Sequence, residues 1–180
     1  MKTYIALFRG INVGGKNTLP MKELVAMLED LGLQKVKTYI QSGNAAFVCD
    51  TKDVSQLSSQ IRAAIKKRRG FEPHVLLLRL EDIERAIQRN PFPEAETTPK
   101  VLHAGFLAAV PERPDMNTLE SLKSESERFR LIDRVFYLHA PDGVGRSKLA
   151  ANAERLLGVP MTDRNWSTVT TLWRMAQELK

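Results

Sequence analysis

Cysteine is almost absent from this 180-residue chain. Cys49 stands alone, which excludes an intramolecular disulfide and any cysteine-rich zinc site, and its expected place is the end of a buried strand, as a small hydrophobe. Histidine is nearly as scarce. His74, His103 and His139 fall on or beside separate expected strands, with no H-x-x-x-H or C-x-x-C spacing, so no metal site is read and no cofactor is required. No Ser-His-acid arrangement can be assembled from the spacing, and no catalytic residue is named. Long apolar runs are missing too. None approaches the roughly 20 residues of a membrane span, and the short apolar stretch after Met1-Lys2 has no signal-type cleavage region. The expectation is a cytoplasmic protein with no membrane contact; nothing in the sequence signals an oligomeric state.

What is present is ordinary in amount and uneven in placement. With 43% hydrophobic and 27% charged residues, the chain reads as globular, long enough for one sizeable core or two small ones. Residues 1–89 hold 15 lysines and arginines against 9 acids, whereas residues 90–180 hold 12 of each. All the excess positive charge is in the first half, which favours an acidic partner such as a nucleotide or nucleic acid. An unremarkable basic surface is the plainer reading of the same numbers.

In chain order, Thr3 to Phe8 reads as a strand. Pro20 suits a helix's first turn, followed by apolar residues at helical spacing from Met21 to Leu31, with Gly32 as the stop. Val36 to Ile40 and Ala45 to Cys49 form a hairpin around Gln41-Ser42-Gly43-Asn44. A second amphipathic helix runs from Asp53 to Arg69 and closes at Gly70, and Val75 to Leu80 is a further strand. This is βαββαβ, the ferredoxin-like order. A short helix to Arg89 leads into residues 90–99, whose three prolines suggest a linker between a half at 1–89 and a half at 100–180. The second half reads as βαββα, with strands at Val101 to Val110, Phe129 to Leu131 and Val135 to His139. A short helix over Asp115 to Lys123 separates the first two of these strands, and helices follow over Leu149 to Leu157 and from an Asn165 cap onward, the last helix replacing a final strand. The fold class expected is α+β, two ferredoxin-like halves with antiparallel-dominated sheets.

The chemistry-bearing stretch is Arg9-Gly10-Ile11-Asn12-Val13-Gly14-Gly15-Lys16-Asn17, a loop between the first strand and the first helix. Its glycines allow close backbone approach to a ligand, and Arg9 and Lys16 supply positive charge, a combination suited to an anion. Gly10, Gly15 and Lys16 fit G-x-x-x-x-G-K, but Asn17 stands where a nucleotide triphosphatase needs a serine or threonine for Mg²⁺. Pro20 also delays the helix, and the strand order is antiparallel, so a P-loop is rejected. A second loop, Gly143 to Lys148, repeats the residue types with Gly145, Arg146, Ser147 and Lys148 ahead of a helix N-terminus. Ser147 reads as a helix-terminal hydrogen-bonder in preference to a dyad with Lys148, because neighbours on a helix point about 100° apart. Arg164 can fork onto a phosphate, with Asn165 and Trp166 beside it; Asn165 as a cap and Trp166 as core are the structural alternatives. Lys66 to Arg69 reads as a solvated helix end in preference to a nucleic-acid stripe.

The segments LFRGINVGGKN, TYIQSGN, GVGRSKL and TDRNWSTV, in this order and spacing, resemble the bacterial family called domain of unknown function 1697. The resemblance runs from Tyr4 to about Leu172. It implies an α+β protein of two ferredoxin-like halves in a bacterial cytoplasm, with no established activity, substrate or cofactor and no catalytic residues to carry over.

Three functional readings follow. In the first, both glycine loops, Gln41, Ser42 and Asn44 of the hairpin turn, and Arg164-Asn165 converge on one cleft that binds a phosphate-bearing small molecule or nucleic acid. In the second, an enzyme acts on a small anionic metabolite in a closed pocket, with Lys16, Lys148, Asn12 and Asn44 orienting charge and a histidine or tyrosine moving protons. In the third, the polar segments are structural and hold the halves through buried hydrogen bonds.

Overall fold

Strand β1, Lys2–Arg9, is fully buried from Tyr4 through Phe8. A strand covered on both faces needs no polar alternation, which accounts for the unbroken apolar run at the start of the chain. It lies inside a four-stranded sheet of order β2-β3-β1-β4, with β2 at Gln34–Thr38, β3 at Asn44–Cys49 and β4 at His74–Arg79. Each neighbouring pair is antiparallel. Helices α1 (Met21–Asp30) and α2 (Val54–Arg69) lay Leu24, Leu28, Leu57, Ile61 and Ile65 against Tyr4, Ala6, Phe8 and Phe47. Each such aliphatic side chain contributes roughly 1.5–3 kcal/mol when fully buried. Asp53 caps α2 by accepting the Gln56 N–H at 2.9 Å, and Pro20 takes the cap position of α1 without a side-chain bond.

The computed structural model describes residues 1–51 and 53–180. They divide into two units, Met1–Glu84 with Thr171–Lys180, and Arg85–Thr170. Residues 90–99, read from sequence as a linker, lie in the second unit, where Pro93–Thr97 forms a 3₁₀ turn. Helix α3 (Leu80–Gln88) precedes it.

The second unit repeats the plan with β5 (Leu102–Leu107), α4 (Met116–Leu122), β6 (Arg128–Ile132), β7 (Val135–His139), α5 (Lys148–Leu157) and β8 (Met161–Asn165). Its sheet order is β6-β7-β5-β8, antiparallel throughout. The expected βαββα is therefore completed to βαββαβ. Strand β8 is Met-Thr-Asp-Arg-Asn, too polar to read as a strand alone; its backbone groups pair with β5 from His103 to Leu107. Tertiary pairing overrides weak propensity here. Gly105 leaves room for the Met161 side chain, whose sulfur a Cβ there would meet. Helix α6 (Trp166–Gln177) starts directly after β8. Among the described residues no helix is long and apolar enough to cross a membrane.

Candidate functional site

The first glycine loop folds into a small β-hairpin. Val13 and Lys16 form a bridge in which the Lys16 N–H donates to the Val13 carbonyl at 3.0 Å, and one rung below, the Asn12 N–H donates to the Asn17 carbonyl at 3.1 Å. Gly14 and Gly15 occupy the tip at φ of 57° and 72°. Two consecutive positive φ values are the requirement of a type I′ turn, which is why two glycines stand there. A side chain at either would meet nothing within 4 Å, so the tip projects into solvent and the glycines answer to backbone conformation. The Lys16 N–H is bonded within the hairpin and α1 begins only at Met21. A nucleotide triphosphatase loop has neither feature.

The base of the hairpin is tied down by its asparagines. Asn12 Nδ2 donates to the carbonyls of Leu19 and Gln41, each at 2.8 Å, while its Oδ1 accepts the Leu19 N–H at 2.7 Å. Asn17 Nδ2 donates to the Gly10 carbonyl at 2.8 Å. The β2–β3 turn is bound to the same place. Asn44, fully buried, donates through Nδ2 to the Tyr39 carbonyl at 3.1 Å and to Ser42 Oγ at 3.3 Å. Gly43, at φ 86°, donates no space at all: a Cβ there would sit 2.5 Å from Ile11 Cδ1 and 2.7 Å from Phe8 Cβ. The strand ends before the turn, at Thr38, so Ile40 leaves the expected strand and sits at φ 48°. Gln41 and Ser42 are exposed.

The register places a third segment at this end of the first sheet. Leu7 pairs with Asn44 and Arg9 with His74, so the first loop, the turn at 39–43 and the end of α2 lie together. Arg69 Nε donates to the Thr18 carbonyl at 3.0 Å and its Nη1 lies 3.4 Å from Glu23. An open groove of about 450 Å³ runs between the two segments, lined by Asn17, Thr18, Arg68, Arg69, Gly70 and Phe71. Sequence favours a solvated helix end over a nucleic-acid stripe at Lys66 to Arg69 and does not foresee this grouping, because no local spacing links Arg69 to Thr18.

In the second unit, the loop from Gly143 to Lys148 contains a 3₁₀ turn at Val144–Arg146 and then α5. Ser147 caps the helix, its Oγ accepting the Ala150 N–H at 2.9 Å, as its sequence position foretold. Gly145 has an ordinary negative φ and open space around it. Arg146 and Lys148 are exposed on either side of the buried Ser147. They help line an open groove of about 500 Å³ with Ser121, Ser124, Glu127 and Asp142. Asp142 accepts the Ser126 hydroxyl at 2.7 Å and Glu127 accepts the Ser124 N–H at 3.0 Å. The groove thus combines cations, hydroxyls, carboxylates and the positive end of a ten-residue helix.

Asn165 does cap α6, accepting the Thr168 N–H at 2.9 Å, and Trp166 is core, with an indole N–H that has no hydrogen-bond partner among the described residues. Arg164 is half-buried; its Nη1 donates to the Asp163 carbonyl at 2.8 Å, and burial pulls its pKa down to about 10. Sequence reading passed over a pair next to it. His103 is buried, with Nδ1 2.7 Å from Asp163 Oδ2 and Nε2 3.2 Å from the Lys100 carbonyl. Burial pushes the imidazole pKa down, but the hydrogen bond and charge of Asp163, with the Lys100 carbonyl, outweigh it and hold it above the ordinary value. Both ring nitrogens face acceptors, so the doubly protonated ring satisfies both. The Tyr137 hydroxyl donates to the Ala86 carbonyl at 2.7 Å and is pushed by burial to about 12. His139 is held below its usual range by burial and then by Arg128. Among the described residues no three metal-ligating side chains gather.

No curated protein matches the chain. It is similar to a solved structure, the conserved bacterial protein SP0830 from Streptococcus pneumoniae, at 32% identity and a TM-score of 0.67, over 97% of this chain and 98% of that one. The family model described as protein of unknown function (DUF1697) matches residues 1–137, and the chain belongs to that family.

Proposed function

We propose that this protein is a binding module for a phosphate-bearing ligand, a nucleotide or nucleic acid. The observation that carries the reading is the open groove of the second unit, in which Arg146 and Lys148 flank the capped N-terminus of α5. Exposed cations at a helix N-terminus attract an anion through charge and through the unpaired N–H groups of the first turn. Asp142 in the same groove accepts a hydrogen bond from the Ser126 hydroxyl, the kind of donor a sugar would offer. The groove at Arg68 and Arg69 in the first unit supports the reading from a second place.

The open form of both grooves favours binding over an enzyme's closed pocket. Tyr137 and His103 are themselves buried and already hydrogen-bonded within the protein, which places them poorly to move a substrate's proton. The test is a thermal-shift screen against nucleotides, sugar phosphates and short nucleic acids, followed by titration of the best ligand with Arg146→Ala/Lys148→Ala. About a tenfold or greater loss of affinity is expected for two charge-assisted contacts. An unchanged affinity, or no stabilisation by any of the ligands, overturns the proposal.

A further inference from the structure

The loop end of the first sheet carries apolar side chains where charge would be ordinary. Val13, beside the glycine tip, is 64% exposed, and Ile40, in the neighbouring turn, is 49% exposed. Isolated exposed aliphatics need no explanation, but these two are held in place. Asn12 bonds the hairpin to Gln41, the residue after Ile40, and Ile11 is fully buried against Gly43. Ile40 is also a β-branched residue at φ 48°, a conformation that costs on the order of 1–3 kcal/mol and persists where the surroundings enforce it. Ile40 is thus held outward in a conformation that disfavours a β-branched side chain.

The rim of this apolar tip is basic. Arg9 ends β1 one residue before Gly10, Lys16 sits across the bridge from Val13, and both are exposed. The end of α2, with Lys66, Lys67, Arg68 and Arg69, lies at the same end of the sheet. Arg9 and Lys16 thus lie at the same end of the sheet as the exposed Val13 of the ribbon and Ile40 of the adjoining turn, while Lys66, Arg68 and Arg69 at the end of α2 also face Glu72, Asp30 and Glu23. An occupant needs an anionic outside and an apolar inside at the spacing of a narrow ribbon. Double-helical nucleic acid has both, with phosphates at the groove edges and stacked bases between, and aliphatic wedges on basic ribbons insert between base steps.

We infer that the hairpin at 10–19, with Ile40 beside it, is a nucleic-acid contact in which Arg9 and Lys16 meet phosphates while Val13 and Ile40 press on base steps. This rests on the reading of the protein as a phosphate-ligand binder and narrows it to a duplex. The test measures binding of a short fluorescein-labelled DNA or RNA duplex by anisotropy across a salt series, with inorganic polyphosphate and poly-glutamate as competitors. For Arg9→Ala/Lys16→Ala, the slope of log affinity against log salt is expected to fall by about 2. For Val13→Ser/Ile40→Gly, affinity is expected to drop about tenfold with the slope unchanged. Ile40→Gly also removes the positive-φ strain, so an undiminished melting temperature separates lost contact from lost fold.

Wild-type affinity for the duplex in the Val13→Ser/Ile40→Gly protein overturns the inference, as does equally tight binding of polyphosphate or poly-glutamate, which have no bases. If those variants bind normally while Arg146→Ala/Lys148→Ala still loses its ligand, the inference falls and the proposed function stands. Absence of duplex binding with a nucleotide or sugar phosphate still bound has the same meaning. Absence of any phosphate ligand removes both.

Discussion

The two units run the same βαββαβ order with the same sheet arrangement, yet their glycine-rich basic loops occupy different places in it. In the first unit the loop leaves β1 and precedes α1; in the second it leaves β7, the third strand, and precedes α5. The third strand is antiparallel to the first in each sheet, so in the frame of its own unit each loop lies at the opposite end. The loops are therefore not topological equivalents, although their residue types match. They also use glycine and polar side chains differently. In the first, the asparagine amides are bonded to backbone within the loop or the adjoining turn; in the second, a single serine caps a helix and the cations face an open groove. Similar composition here reflects two separate solutions, one a rigid ribbon and the other a helix terminus.

That contrast can be broken most sharply at Gly43. Gly43→Ala is expected to destabilise the first unit by about 2–4 kcal/mol, because its Cβ meets Ile11 and Phe8 in a conformation that already disfavours a side chain; urea denaturation measures it. Next is Asn12→Ala, which strips partners from Leu19 and Gln41 and should cost about 1–3 kcal/mol. A negligible loss there would remove the description of the first loop as a braced ribbon. Ser147→Ala should cost about 1 kcal/mol through its lost cap, with Ser147→Asp restoring most of it.

A smaller effect is expected from pH in the second unit. The His103 pKa is raised in the fold, so its ion pair with Asp163 contributes fully below the unfolded pKa of histidine and is lost as pH rises through the folded value. Denaturation midpoints should fall across that alkaline-going window in the wild type and stay flatter in Asp163→Asn. Smallest of all is Gly145→Ala, expected within about 0.5 kcal/mol of neutral, since Gly145 has negative φ and open space. A large loss there would show that the second loop is as constrained as the first.

Much of the architecture was legible from sequence where the signal is local. The spacing of Met21 to Leu31 and of Val54 to Ile65 gave both helices of the first unit, and the glycine in the 41–44 turn marked a hairpin. Cap residues were readable because a cap bonds within three residues of itself: Ser147 and Asn165 both accept the N–H three positions on. Strand β8 was not legible, because Met161 to Asn165 is a strand only through its pairing with β5. The candidate site divides in the same way. Arg146, Ser147 and Lys148 were found because they are neighbours in sequence, whereas Arg69 beside Thr18, and His103 beside Asp163, are 51 and 60 residues apart.

By itself, then, the sequence determined the element order of the first half, helix stops and caps, the absence of an intramolecular disulfide and the concentration of positive charge in residues 1–89. These follow from short-range sterics, hydrogen bonding and composition, which need no knowledge of distant residues. Only the tertiary structure decided that Gly14-Gly15 is a hairpin tip, that Asn12 and Asn44 are braces, that β8 closes the second sheet and that the two loops leave different strands. Each depends on which backbone groups the sheet leaves unpaired and on what packs beside them, and that is fixed by contacts between residues far apart in the chain.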